Sequence, residues 1–375
     1  MKCLHICNDF VGSKVHENLY LSLKGKNVIQ HIYYPQRKHT FEKIQTFKQR
    51  WGNTLITSEP LKWFHKFFFS KKINFLFTDL ISKTNPNHLE LVHATTLFSD
   101  GAIALKIYKK YGTPFIVAIR STDIDLFLRY RFDLYPLAKE ILVNASKLVF
   151  VSNSIERNFF AHPFILKIEE KYCLKKKSKV LPNGIDDIWV SNINPQKKLR
   201  PHKILYIGKF DYNKNVISLI KAFLSLNPSN KNLQLTLIGS GGIQEKKIIE
   251  YSEKYGDSIK FLGPIYDKSQ LMEIYRSNHI FAMTSKVETF GLVYLEALSQ
   301  GLPILYTKNQ GIDGTFKENI GKSTNPFSVK SIAEGLNEIV ESYDQYELNK
   351  INFNNFSWNN IAQLYFELYN GSKNG

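Results

Sequence analysis

Ser285-Lys-Val-Glu-Thr-Phe-Gly-Leu-Val-Tyr-Leu-Glu-Ala-Leu-Ser-Gln-Gly-Leu-Pro303 reads as a loop, a helix and a stop. Glu288-Thr289-Phe290-Gly291 is the loop. Leu292, Leu295 and Leu298 then recur at helical spacing. Gly301 stands where a helix C-cap is expected, and Pro303 follows it. Glu288 lies before the helix and Glu296 inside its apolar run. A carboxylate there is costly to bury without a partner. The bland alternative is an ordinary helix with one solvent-facing Glu.

Working outward, strands alternate with helices on both sides of this stretch, which predicts parallel sheets covered by helices. Ile280–Met283 is the strand before it and Pro303–Tyr306 the strand after. Upstream, Lys203–Ile207 is a strand, and Gly208-Lys-Phe-Asp-Tyr-Asn-Lys-Asn215 is the loop that follows. Leu233–Ile238 is a strand ending in Gly239-Ser-Gly-Gly242. Lys209 and Lys214 suit a diphosphate, offering two ammonium donors to two anionic groups. Gly208, Gly239, Gly241 and Gly242 permit close backbone approach to a ligand. Glu296 suits a ribose diol. Together they describe a site for a nucleotide diphosphate group. The chain has no Gly-x-x-x-x-Gly-Lys-Ser/Thr loop, and no Gly-x-Gly-x-x-Gly follows the first strand. A P-loop ATPase and a dehydrogenase are thereby disfavoured.

The first half repeats the alternation. Lys2–Cys7, Val28–Tyr33, Leu91–Thr95, Phe115–Ile119 and Leu148–Val151 read as strands. Ligands bind at the carboxyl ends of strands in such sheets. That makes Gly12 and His16, after the first strand, and Arg120 and Asp123, after Ile119, site candidates. A surface ion pair is the alternative for Arg120 and Asp123. Phe64–Phe77 interleaves aromatics with lysines, and Trp63 precedes it. It reads equally as a helix on a membrane surface or as a core helix with a wet lysine face.

The chain has 375 residues, enough for two domains. The division expected is 1–187, a linker at 188–202, a second domain at 203–355, and a C-terminal helix at 356–371 packing back on the first. Three cysteines without Cys-x-x-Cys spacing argue against disulfides and structural zinc. No signal-like or membrane-spanning run is visible, so a cytoplasmic location is expected. The net charge is +17. Residues 1–190 hold 29 Lys+Arg and 16 Asp+Glu, an excess of 13, which leaves 4 for the remainder. Such a charge points to nucleic acid or an anionic membrane surface. No nucleic-acid module is recognisable, so the membrane's inner face is the expected surface. A Lys-rich composition alone is the alternative.

The chain resembles the retaining glycosyltransferases of the GT-B fold, family-four type (glycosyl transferases group 1), over nearly its whole length. The resemblance is carried by Glu288-Thr-Phe-Gly-Leu-Val-Tyr-Leu-Glu296 with Gly301-Leu-Pro303, Leu181-Pro-Asn-Gly-Ile-Asp186, Gly208-Lys209 with Lys214, Val92–Gly101, Val151-Ser-Asn-Ser154 and Phe356-Ser-Trp358. It implies two Rossmann-like, doubly wound domains facing a cleft. It implies transfer, with retention, of a sugar from a nucleotide diphosphate (UDP before GDP) to a hydroxyl of a glycan or lipid-linked acceptor. Bacterial surface polysaccharide assembly, as in capsule, lipopolysaccharide or exopolysaccharide, is the expected setting.

By the same resemblance, Glu288 and the backbone of Phe290 and Gly291 hold the donor sugar's hydroxyls, and Thr289 and Leu292 belong to the donor-binding residues. Glu296 holds the ribose, Lys209 and Lys214 neutralise the leaving diphosphate, and Gly12 lies near the phosphates. Neither a cofactor nor a metal is expected; Asp123-Ile-Asp125 has a metal-like spacing in the wrong domain. The sequence departs from the family's pattern at Lys209, where Arg is frequent, at Thr289 for Gly, and at Arg120 where many members carry His. A GT-B nucleotide-sugar epimerase is the nearest alternative and a basic nucleic-acid-binding protein a remote one.

Overall fold

The computed structural model describes residues 1–37, 40–194, 201–226 and 232–372. The chain divides into two compact units. One comprises Met1–Val151, Ile155–Gly184 and Trp358–Gly375; the other comprises Ser152–Ser154 and Ile185–Ser357. Each is built on one parallel sheet.

The first unit's strands are β1 (Lys2–Ile6), β2 (Ile29–Tyr34), β3 (Leu55–Thr57), β4 (Leu91–Ala94), β5 (Phe115–Ile119), β6 (Lys147–Phe150) and β7 (Ser178–Val180). Their order is β3-β2-β1-β4-β5-β6-β7. The central strands are apolar on both faces because helices cover both. Every residue of β5 is buried, for example. β1 sits between β2 and β4, pairing Leu4 with His31 and with Val92. The winding direction reverses there, which opens a crevice at the carboxyl ends of β1 and β4.

The helix Phe69–Lys83 buries Phe69, Ile73, Leu76, Asp79 and Leu80, so this part of the aromatic, lysine-rich segment is a core helix. Trp63, Phe67 and Phe68 just before it are exposed. The C-terminal helix Trp358–Asn370 lies in the first unit. Its Trp358, Ile361, Tyr365 and Tyr369 join the core cluster that contains Cys3, Phe10 and Tyr20. Gly184 is required there: a Cβ would lie 2.6 Å from the Trp358 ring.

The second unit's strands are β8 (Lys203–Ile207), β9 (Gln234–Ile238), β10 (Ile259–Phe261), β11 (Ile280–Ala282), β12 (Ile304–Thr307) and β13 (Gly321–Thr324). Their order is β10-β9-β8-β11-β12-β13, all parallel. The reversal falls between β8 and β11. The segment read as a linker begins inside this unit. Asp187–Ser191 is a helix, and Trp189 is buried in the core edge-on against Tyr275. Residues 195–200 of that segment lie outside the described residues.

Candidate nucleotide-diphosphate site

The site is organised by the carboxyl ends of β8 and β11. Gly208 follows β8, and its carbonyl faces Gly239 at the end of β9. A Cβ on Gly239 would lie 1.9 Å from that oxygen, and Gly239 has φ of +146°. Only glycine lets the two loop backbones meet. Gly242, at φ +98°, approaches the Phe210 carbonyl in the same way. The loop is closed by bonds from the Phe210 amide to the Gly241 carbonyl and from the Gln244 amide back to the Phe210 carbonyl. Lys209 is exposed on this loop, and its carbonyl accepts from the Tyr206 hydroxyl at 2.7 Å.

The loop after β8 is laced to the loop after β11. Asn213 donates from its side chain to the Val287 carbonyl at 2.8 Å and accepts from the Val287 amide at 2.9 Å. Buried Asn215 adopts φ of +61°, a conformation Asn tolerates. Its amide donates to the carbonyls of Thr284 and Pro326. This lacing brings the Lys214 ammonium 2.7 Å from Glu288 Oε2. The other Glu288 oxygen accepts from the Thr289 amide at 3.1 Å, and the Glu288 amide donates to the Gln310 side chain. The predicted pair of motifs, the basic loop and the glutamate loop, therefore converge in space.

The helix Leu292–Ser299 starts from Gly291 at φ +80°; a Cβ there would lie 2.6 Å from the Tyr294 ring. The Phe290 ring is buried in the core, which leaves its backbone in the loop. The Thr289 carbonyl accepts from the Ser152 hydroxyl at 3.0 Å, and the Gly311 carbonyl accepts from Ser154 at 2.9 Å. Glu296 stands one turn further along the helix Leu292–Ser299 and is half-buried. Burial pushes its carboxyl up to about 7, against a hydrogen bond from the Tyr275 hydroxyl at 3.1 Å. The charge of Asp186 pushes in the same direction, and that of Lys268 opposes it.

In the first unit, Gly12 closes a turn on Asp9: its amide donates to the Asp9 carbonyl, and a Cβ would meet the Asp9 carboxylate at 2.4 Å. His16 is buried, which pushes its imidazole down to about 3, aided by the charge of Arg120. It is therefore neutral at physiological pH. Asp123 is not in a surface ion pair. It is buried and accepts from the amides of Arg120 at 2.9 Å and Leu97 at 3.1 Å. The Arg120 guanidinium donates to the Thr95 carbonyl instead. Asp123 thus ties together the loops after β4 and β5. Among the described residues, no group of three His, Cys, Asp or Glu could hold a metal ion.

Sequence reasoning missed Asn213, Asn215 and Gln310, which support the glutamate loop. Only Asn215, a residue tolerant of positive φ directly before a helix, carried a local signal. It also passed over Asp100, fully buried after β4. Asp100 accepts from the Thr95 hydroxyl at 2.8 Å and from the Asn8 side chain at 3.2 Å, and burial raises its carboxyl to about 6.

Residues 188–353 match the family model of glycosyl transferases group 1. An uncharacterised glycosyltransferase of Methanocaldococcus jannaschii is 27% identical over 211 residues, which are 52% of this chain and 54% of that protein. The match thus spans about half of that relative's length. The lipopolysaccharide 1,2-N-acetylglucosaminetransferase of Salmonella typhimurium is 26% identical over 65% of this chain and 72% of its own. The Anabaena HepE protein, solved with UDP, superposes with a TM-score of 0.71 at 16% identity, covering 98% of this chain and 99% of that one. At that identity the likeness establishes the fold, which is GT-B.

Proposed function

We propose that the protein transfers a sugar from a nucleotide diphosphate to an acceptor hydroxyl with retention at the anomeric carbon, a reading supported by the match of residues 188–353 to the glycosyl transferases group 1 model. The observation that carries this reading is the meeting of Lys214 and Glu288 at the reversal between β8 and β11. A ligand-binding crevice is expected at such a point. UDP is the preferred carrier, in keeping with the UDP bound by the Anabaena neighbour.

In this reading Lys209 and Lys214 face the diphosphate. Lys214 has three N–H donors, and Glu288 occupies one; the others remain for phosphate oxygens. Glu288 also orients Lys214 and accepts from a sugar hydroxyl. The amides at the start of the helix Leu292–Ser299 add their positive end. Glu296 accepts from the ribose. The acceptor oxygen forms a bond to the anomeric carbon as the bond from that carbon to the phosphate oxygen breaks. The nucleoside diphosphate leaves with the electron pair, and its departing oxygen takes the acceptor proton. Preorganised cations favour this charge separation. The acceptor is a glycan or a lipid-linked saccharide of a bacterial surface polysaccharide. The named activity of the Salmonella relative supports that setting.

A panel of radiolabelled UDP- and GDP-sugars with and without lipid-linked acceptors tests the reading. Transfer to acceptor from one donor is expected. Isomerised nucleotide sugar formed without acceptor would overturn it in favour of an epimerase.

A further inference from the structure

The first unit holds a cavity of about 560 Å³ that no part of the donor site uses. Among the described residues, five cations line it, Arg37, Lys62, Lys66, Lys72 and Arg131, and no carboxylate does. They come from the segments after β2, β3 and β5 and from the first turn of the helix Phe69–Lys83, all at the carboxyl edge of the sheet. A second cavity of about 300 Å³ shares Arg37, Leu61, Lys72 and Phe127 with it. Volumes of roughly 300–1,000 Å³ are those of small-molecule sites. Gathering this many like charges costs energy unless an anion is bound there. Arg131 is matched in bidentate fashion by Asp133, so Arg37, Lys62, Lys66 and Lys72 supply the donors. Lys72 is fixed by a 2.9 Å bond to the Ser99 hydroxyl.

Exposed apolar side chains neighbour the cavity along the chain. Trp63 lines it and is 74% exposed; Phe67 and Phe68, next along the chain, are 71% and 52% exposed. Leu126, Tyr130 and Phe132, neighbours of the lining residues Phe127 and Arg131, are also exposed. Large aromatic side chains beside lysines suit a bilayer interface, where rings enter the headgroup layer and ammonium groups meet phosphate. A soluble phosphate ester would need the cations and not the exposed rings.

We propose that the cation-lined cavity of Arg37, Lys62, Lys66 and Lys72 binds the phosphate or diphosphate of a lipid-linked acceptor, with Trp63, Phe67 and Phe68 seated in the bilayer interface. The inference rests on the transfer reading above and specifies its acceptor as a lipid-borne phosphate. Arg37 and Lys66 hold phosphate oxygens in it, and the saccharide hydroxyl is presented by the same molecule.

Trp63 offers a direct readout, because Trp51, Trp189 and Trp358 are buried. Its emission should shift to the blue with phosphatidylcholine vesicles carrying a polyprenyl phosphate, and not with phosphatidylcholine alone. Inorganic pyrophosphate should reverse the shift. The double variant Arg37→Gln/Lys66→Gln should bind the doped vesicles at least about tenfold more weakly by sedimentation, as loss of charge-assisted bonds predicts. Its thermal stabilisation by UDP should remain that of the unchanged protein. Binding of pyrophosphate with no binding of doped vesicles would overturn the lipid-borne source. Equal binding of the doped vesicles by the variant and the unchanged protein would overturn the cavity. Absence of UDP stabilisation in the unchanged protein, with vesicle binding intact, would remove the transfer reading and with it the acceptor role.

Discussion

Lys214 Nζ and Glu288 Oε2 lie 2.7 Å apart although 74 residues separate them in the chain. The pair joins the loop after β8 to the loop after β11, and both side chains are only partly exposed. The proposed transfer gives each residue a second duty, toward a ligand, besides the one toward its partner.

A double-mutant cycle separates those duties. Lys214→Ala and Glu288→Gln should each lower kcat/KM by about 100-fold or more, as removal of a preorganised charge does. Their coupling energy in thermal unfolding should be about 0.5–2 kcal/mol, as for contacting charges that are half shielded from water. Lys209→Ala should lower kcat/KM comparably with no change in unfolding, because Lys209 is exposed. Strictly additive effects of Lys214 and Glu288 in both assays would contradict the pairing.

Two glycines in one loop should behave differently. Gly239→Ala places a Cβ 1.9 Å from the Gly208 carbonyl. Backbone must move, so a loss of more than about 3 kcal/mol and of UDP binding is expected. Gly241 has φ of +75° but open space around it. Gly241→Ala should cost only the left-handed penalty of about 1–2 kcal/mol. Differential scanning calorimetry of both variants checks the order.

Glu296 should give the stability a pH slope. Its carboxyl stands at about 7 in the folded chain against 4.5 as the ordinary value. The folded state therefore binds more protons between those values, and stability contributed by this group falls as pH rises from about 4.5 to about 7. Urea unfolding at pH 5 and pH 7.5, compared with Glu296→Gln, should show that slope reduced in the variant. Tyr275→Phe removes a bond that favours the charged carboxylate, so it should move the midpoint upward. Nucleoside affinity should strengthen with pH through the same midpoint, since a carboxylate accepts ribose hydroxyls better than a carboxylic acid does. A flat affinity profile would place the ribose elsewhere.

Trp358 anchors the C-terminal helix in the first unit against Gly184. Trp358→Ala should destabilise that unit by about 3–5 kcal/mol, the usual cost of emptying a large aromatic site. Hydrogen exchange should accelerate in the helices Lys14–Lys24 and Trp358–Asn370. Unchanged protection in both would show that the helix does not depend on this ring.

Much of the site was legible in the chain because it rests on local chemistry. The glycines after β8 and β9 announce loops that need close backbone approach, and Glu288 and Glu296 bracket a helix start that periodicity reveals. The helix Phe69–Lys83 shows the limit. Its lysine and phenylalanine spacing suits a core face and a membrane face equally, and only packing showed that Phe69, Ile73 and Leu76 face inward while Trp63 and Phe67 do not.

The sequence by itself determined the alternation of strands and helices, the two parallel sheets, and the residue types of the basic and glutamate loops. These follow from side-chain periodicity and backbone sterics within a few residues. Tertiary structure alone decided which loops meet. Strand order set β8 beside β11, so Asn213 could lace the loops and Lys214 could reach Glu288. It also gathered Arg37, Lys62, Lys66 and Lys72 at one edge of the first sheet. Spacing along the chain carries no trace of either meeting, because parallel strands are joined by long crossovers and their loop contacts are non-local.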